Sequence, residues 1–171
     1  LLSDPVCDAV CVCESEYYGS GCQYDEDSFT AWSQSRYLLL HTLLSQAEFE
    51  DVTTETITSW VNSVGLLSRI YDQLSPLALD QLYDMLNTIL YTAERTSTSM
   101  ITLQKLTSGI NSLMLGINLI GANIAGDQLT ALVSQYGLAL AHSQVLGQGK
   151  LEISSSELRL MAQVVPAVSS G

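Results

Sequence analysis

The sequence predicts a mainly α-helical chain that begins with a small disulfide-stapled hairpin, continues as an antiparallel bundle of about five helices, and ends in a short β-hairpin. Three observations carry this prediction. All four cysteines lie within the first 22 residues. From residue 27 onward, apolar residues recur every three or four positions, as on one face of a helix. After residue 149, apolar and polar residues alternate, as in half-buried strands. The predicted segments are 1–26, 27–147 and 148–171.

The four cysteines are spaced C-x3-C-x-C-x8-C. A zinc site needs pairs such as C-x2-C, usually separated by a longer loop or supplemented by histidine. The spacing therefore favours disulfides, and we predict no metal site. Four cysteines allow three pairings, and the spacing does not choose among them. The candidate disulfide residues are Cys7, Cys11, Cys13 and Cys22.

The stretch that begins at Cys11 reads C-x-C-x5-G-x2-C, with two tyrosines just before its glycine. It resembles the C-terminal half of an EGF-like module, a small hairpin closed by its last two cysteines. The resemblance implies that Cys13 pairs with Cys22 and that Gly19 occupies the tight turn, where φ is positive. The upstream partners of a complete module are missing for Cys7 and Cys11. These two either pair with each other or with a neighbour, or the module is a shortened variant.

Caps and apolar faces predict the first two helices. Asp27 or Ser28 caps the first, and the polar stretch 48–54 ends it. Its predicted inward face consists of Phe29, Trp32, Leu40, Leu43 and Ala47. Thr53 or Thr54 caps the second helix. Its inward face is predicted as Ile57, Trp60, Val61, Val64, Leu67, Ile70, Tyr71 and Leu74. Both tryptophans are thus expected to anchor the core.

Ser75-Pro76 predicts the start of the third helix, because a capping side chain precedes a proline at the first helical position. The inward face of that helix is Leu79, Leu82, Leu86, Ile89, Leu90 and Ala93. Asp127 is expected to cap the fifth helix, and the glycines of Gly147-Gln-Gly149 end it. Its inward residues are Leu129, Leu132, Val133, Tyr136 and Leu140. Two strands follow, over 150–154 and 157–165.

The fourth helical segment, 103–126, is the most regular. It carries a heptad seam of about three repeats. Residues 106–126 contain no charged residue but include three asparagines and four glycines, so we predict no transmembrane span. This helix is expected to be either the centre of the bundle or partly covered by a second chain. The candidate interface residues are Leu103, Leu106, Ile110, Leu113, Ile117, Ile120 and Ile124, together with Tyr17 and Tyr18 of the cysteine region.

The junction Gly147-Gln-Gly-Lys-Leu-Glu-Ile-Ser leads from helix into alternating strand. With the order of elements, it resembles the helical part of a GAIN domain running into its β-sandwich. It is similar too to the REJ-type region of extracellular surface proteins. The resemblance covers 28–165. Many members of this family cleave themselves at a His-Leu-Ser/Thr site, which this sequence lacks, so no self-cleavage is carried over.

Charge and motif content exclude several functions. The net charge is −12, and residues 1–55 hold eleven acids against one base. Nucleic acids and anionic membranes are bound through clustered Lys and Arg, so neither is an expected partner. Both histidines lie in predicted helices without a nucleophile motif, and no phosphate or dinucleotide fingerprint occurs. We predict no enzymatic activity and no cofactor.

The low charge, the cysteine cluster and the family resemblances predict a location outside the cell or at the cell surface. We expect the chain to be a piece of a longer protein that acts through protein contacts, by self-association or with neighbouring domains. One hypothesis is a structural or assembly module of a surface appendage or filament. The alternative is a segment of an adhesion-receptor-type ectodomain that binds an extracellular ligand.

Overall fold

The computed structural model describes residues 11–144 and 149–163, and this part of the chain is mainly helical. The predicted fold class is confirmed. The helices are α1 (Glu26–Ala47), α2 (Thr54–Ser68), α3 (Pro76–Ala93), α4 (Met100–Gln104), α5 (Leu106–Ile120) and α6 (Gly126–His142). A 3-10 helix, Tyr71–Gln73, lies between α2 and α3. The strands are β1 (Tyr17–Tyr18), β2 (Tyr24–Asp25), β3 (Leu151–Ser154) and β4 (Arg159–Ala162).

Helix α3 is the centre of the bundle, since it packs against α1, α2, α5 and α6. Its inward residues are buried, as the apolar spacing predicts. Trp60 anchors the core from α2, with its indole Nε1–H donating to Glu50 Oε2 at 2.7 Å. Trp32 of α1 is 44% exposed, so its predicted place in the core is wrong.

The helix starts follow their predicted caps in two places and depart from them in two. Ser75 caps α3, and Thr53 caps α2 in a capping box. Helix α1 begins earlier than predicted, because Asp25 accepts the backbone N–H of Ser28 at 2.8 Å. Ala125 stands at the cap of α6, and Asp127, the predicted cap, lies in its first turn.

Helix α2 ends at Ser68, earlier than the apolar spacing predicts. A helix end leaves carbonyl groups without intrahelical partners. Arg36 of α1 satisfies one of them, with its Nη1 donating to the Leu67 carbonyl at 2.6 Å. The chain then turns through the 3-10 helix, which still delivers Leu74 to the core. A long-range contact thus ends a helix whose apolar pattern continues.

The predicted fourth helix is divided and shorter than 103–126. The backbone N–H of Lys105 donates to the carbonyl of Thr102 at 3.2 Å, a tighter pattern than that of an α-helix, and this separates α4 from α5. Helix α5 ends at Ile120 because Gly121 adopts φ +72°, and the Gly121 backbone N–H donates to the Ile117 carbonyl at 2.9 Å. Ile124 therefore lies outside any helix.

The C-terminal hairpin pairs β3 and β4 antiparallel, with Leu151 opposite Ala162. Its predicted strands are confirmed between residues 151 and 162. The loop joining them is held on α5, because Asn111 Oδ1 accepts both Ser156 Oγ and the backbone N–H of Glu157, each at 3.1 Å. The predicted turn glycine at 147 and the strand residues after 163 lie outside the described residues.

Candidate interaction surfaces

A disulfide closes the N-terminal hairpin. Cys13 and Cys22 are bonded, with their Cα atoms 5.3 Å apart, so the predicted pairing is confirmed. Gly19 forms the turn with φ +93°, where a Cβ would come within 2.7 Å of the Tyr24 ring. Cys11 is a free, exposed thiol, so of the alternatives predicted for it a bond with a neighbour and the shortened variant stay predictions. Cys7 lies outside the described residues.

Asp72 of the 3-10 helix anchors this hairpin to the bundle. The residue is 6% exposed, and its Oδ2 accepts Ser20 N at 3.2 Å, Ser20 Oγ at 2.9 Å and Gln23 Nε2 at 3.0 Å. The adjacent Gln73 Oε1 accepts Arg36 Nε at 3.0 Å and Nη2 at 2.8 Å. One short turn therefore holds both the hairpin and α1. Sequence reasoning missed this role, because it placed both residues in a helix.

Replacing Asp72 with Ala removes the shared acceptor of three hydrogen bonds. We expect the free energy of unfolding to fall by about 1–3 kcal/mol, because the loss concerns a mostly buried charged acceptor. Hydrogen exchange across 13–25 should accelerate more than exchange in α3. Asp51→Ala, at an exposed aspartate, is the control and should change both measurements little. Equal effects of the two substitutions would contradict the anchor.

Four aromatic rings join the hairpin to the start of α1. Tyr18 stacks on Phe29 with ring centroids 4.6 Å apart and nearly parallel planes. Tyr24 meets Trp32 edge-on at 5.1 Å. Both arrangements are favourable for aromatic pairs. Since Tyr17, Tyr18 and Trp32 remain exposed, the cluster presents ring surface to the outside. Such rings are enriched at protein interfaces.

Carboxylates surround these rings. We call Glu14, Glu16, Asp25, Glu26 and Asp27 the acidic end; all five are exposed. No basic residue occurs before Arg36 in the sequence. Hydrogen bonds from the Ser28 backbone and hydroxyl lower the pKa of Asp25, which keeps this cap ionised. Within 11–144 and 149–163, no cluster of three ligating side chains is arranged to hold a metal ion.

The outer side of α1 carries exposed apolar side chains and, between Asp27 and Glu48, no exposed Lys, Arg, Asp or Glu. Between Asp27 and Glu48 the only Lys, Arg, Asp or Glu is Arg36, which is turned inward to Gln73 and Leu67. Exposed Leu38 and Leu39 lie on this face beyond Trp32. The hydroxyls of Ser35 and Thr42 donate to backbone carbonyls of the helix itself at 2.8 Å, which reduces their demand for water. We call Trp32, Ser35, Leu38, Leu39 and Thr42 the α1 face.

The structure divides the predicted interface residues. Tyr17 and Tyr18 are exposed. The first four seam residues are fully buried in the intramolecular core, namely Leu103, Leu106, Ile110 and Leu113. Three are partly buried against that core, namely Ile117, Ile120 and Ile124. The buried four face α2, α3 and α6 rather than solvent, so in this fold they are core residues and present no surface to a second chain.

A groove of about 600 Å³ lies between α2 and α5. These helices approach closely, because a Cβ on Gly109 would come within 2.9 Å of Val64 Cγ1. Small residues also form the floor, where a Cβ on Gly65 would lie 3.6 Å from Ser108 Oγ. Leu66 is exposed at its side. We call this the basic groove, lined by Gly65, Leu66, Arg69, Lys105 and Ser108 among others.

The basic groove holds two of the six basic residues of the chain. Lys105 Nζ donates to the neutral amide of Asn62 at 3.2 Å. The Arg69 side chain is exposed and has no ion pair or hydrogen bond with any residue that the structure describes. None of the described residues that line the groove is acidic. Sequence reasoning missed this groove, since only packing brings residues 69 and 105 together.

The remaining titratable groups are dispersed. Partial burial, reinforced by Asp80, raises the pKa of Asp84. Burial raises the pKa of Tyr136 to about 12, and its hydroxyl is 2.8 Å from Thr107 Oγ1. His41 Nδ1 lies 3.1 Å from Gln81 Oε1, on the outside of the bundle. The contacts of Tyr136 and His41 join neighbouring helices.

No family model, curated protein or solved structure matches the chain. Among the described helices, none combines the length and the apolar character needed to cross a membrane.

Proposed function

We propose that this chain is a non-catalytic extracellular structural or assembly module that acts through protein–protein contacts. The α1 face carries the proposal. It offers Trp32, Leu38 and Leu39 to solvent on one helix without an exposed charge among them. Contiguous exposed apolar surface on a folded protein marks contact sites, whereas scattered apolar residues do not.

The surroundings of the α1 face support a contact role. The aromatic rings of the hairpin adjoin its N-terminal end, through the edge-on contact of Tyr24 with Trp32. The disulfide and the Asp72 anchor fix those rings before any partner binds, which lowers the entropy lost on association. An intramolecular disulfide suits the oxidising environment outside the cell.

Substituting Leu39 by Gln tests the α1 face. Leu39 is 54% exposed, and Gln has nearly the same helix propensity, so the fold should persist. We expect wild-type chain to form concentration-dependent oligomers in light scattering. The substitution should weaken association by at least about tenfold, because burying a leucine contributes roughly 1.5–3 kcal/mol and about 1.4 kcal/mol is a factor of ten.

The matched control is Leu138→Gln on α6, where the leucine is 55% exposed and lies outside the surfaces defined above. It should leave association unchanged. Negative-stain images of the intact parent protein extend the test, because assembly predicts filaments or ordered polymers. A wild-type monomer at every concentration, with no polymer in the parent material, would favour the adhesion-receptor segment instead.

A further inference from the structure

The acidic residues restrict how two copies of this chain can meet. The α1 face is bounded by Glu26 and Asp27 at its start and by Glu48 and Asp51 beyond its end. A two-fold contact brings the same surface of both copies together. Whether the two helices run parallel or antiparallel, such a contact sets carboxylates against carboxylates. Like charges placed together across an interface oppose binding.

The basic groove supplies positive charge that can pair with these carboxylates. Arg69 and Lys105 lie beside exposed Leu66, so the groove combines two cations with apolar surface. The other bases are committed elsewhere or lie apart: Arg36 is bonded inside the bundle, Arg95 lies over the Tyr91 ring, and Lys150 pairs with Glu152. Arg159 lies on β4, outside the basic groove.

From this complementarity we infer that the basic groove receives the acidic end of a second copy of the chain, a contact that rests on the assembly function proposed above. Arg69 and Lys105 pair there with carboxylates of the neighbour, while the neighbour's exposed tyrosines and the adjoining α1 face lie against the apolar side at Leu66. A guanidinium binds a carboxylate through two parallel hydrogen bonds, and an ammonium adds a more flexible charge.

The contact is heterologous, because the acidic end and the basic groove share no residue. Each copy therefore donates its acidic end to one neighbour and receives that of another. Contacts of this kind close into a ring or continue as an open filament. The clustering of acids near α1 then determines how neighbouring copies are oriented, because it favours the head-to-tail contact over the two-fold contact.

A charge-swap experiment on the full 171-residue chain tests this contact. The groove variant is Arg69→Glu with Lys105→Glu, and the end variant is Glu14→Lys with Glu16→Lys. Arg95→Glu with Arg159→Glu is the control, since it has the same net charge as the groove variant. Circular dichroism checks that each variant is folded, and sedimentation measures association.

We expect the groove variant to associate at least about tenfold more weakly than the control, and the end variant to be weakened similarly. An equimolar mixture of the two should recover association, because each reversed surface then meets its complement. Wild-type association should also weaken as salt screens the pairs.

Equal weakening of groove variant and control, or no recovery on mixing, would overturn the head-to-tail contact. If Leu39→Gln still weakened association in that case, the assembly function would stand without it. A wild-type chain that stays monomeric would overturn both. So would a monomer that binds heparin through Arg69 and Lys105, since the groove would then take an anionic glycan.

Discussion

Leu113→Ala is expected to lower the free energy of unfolding by about 2–5 kcal/mol, which is the range for removing a fully buried leucine side chain. Leu113 is completely buried on α5, within the core that α3 organises. The loss combines the transfer free energy of the removed carbons with a cavity that close-packed neighbours fill only in part. Urea denaturation followed by far-ultraviolet circular dichroism measures it.

Leu119→Ala on the same helix is the control, because Leu119 is 42% exposed. Its expected cost is below about 1 kcal/mol. The pair also separates two interpretations of the heptad seam. If the seam served a second chain, Leu113→Ala would change the oligomeric state while leaving the monomer stable. The burial in this fold predicts lost stability instead.

Replacing both Cys13 and Cys22 with Ser is expected to destabilise the N-terminal hairpin by about 2–4 kcal/mol, the usual range for a native disulfide. The two residues are nine positions apart, so the bond closes a short loop. The effect should be local, because the hydrophobic core contains no residue of the hairpin. Hydrogen exchange should rise across 13–25 while α3 stays protected.

The accompanying control is Cys11→Ser. This thiol is free and exposed, so its replacement should leave exchange and melting unchanged. Trp32 fluorescence offers a second readout, since its indole touches Tyr24 of the hairpin. Global unfolding after loss of the disulfide would show that the bundle depends on the hairpin, contrary to the separation of the core from it.

Leu113→Ala and the replacement of Cys13 and Cys22 test the parts of the fold that hold the proposed surfaces in place. The core fixes the positions of α2 and α5, and hence the shape of the basic groove between them. The disulfide and Asp72 fix the acidic end against α1. Because the hydrophobic core contains no residue of the hairpin, the hairpin can be destabilised without unfolding the basic groove.

Local signals were predictable along the chain. A serine before a proline starts α3 at Ser75, and Thr53 caps α2 through contacts within four residues. Gly19 takes the positive φ that its turn requires. Buried leucines of α3 follow the helical period. In each case the interaction that decides the structure joins residues close in sequence, so the pattern of residue types is sufficient.

Errors arose where distant residues compete with local ones. Trp32 lies at the helical spacing of an inward face. Its ring nevertheless packs against Tyr24 of the hairpin at the edge of the bundle and stays partly exposed. The apolar pattern continues past Ser68, but the Arg36 side chain donates a hydrogen bond to the Leu67 carbonyl and the helix ends there. The seam predicts one long helix, whereas its backbone bonding changes at Lys105.

The sequence by itself thus determined the helical class, the starts of α2 and α3, the hairpin after residue 149 and the clustering of acids near the N-terminus. Only the tertiary structure decided which apolar residues remain outside the core. It also brought Arg69 and Lys105 into one groove across 36 positions of sequence. Periodicity records which side of a helix is apolar, whereas the packing of neighbouring helices determines how much of that side is covered.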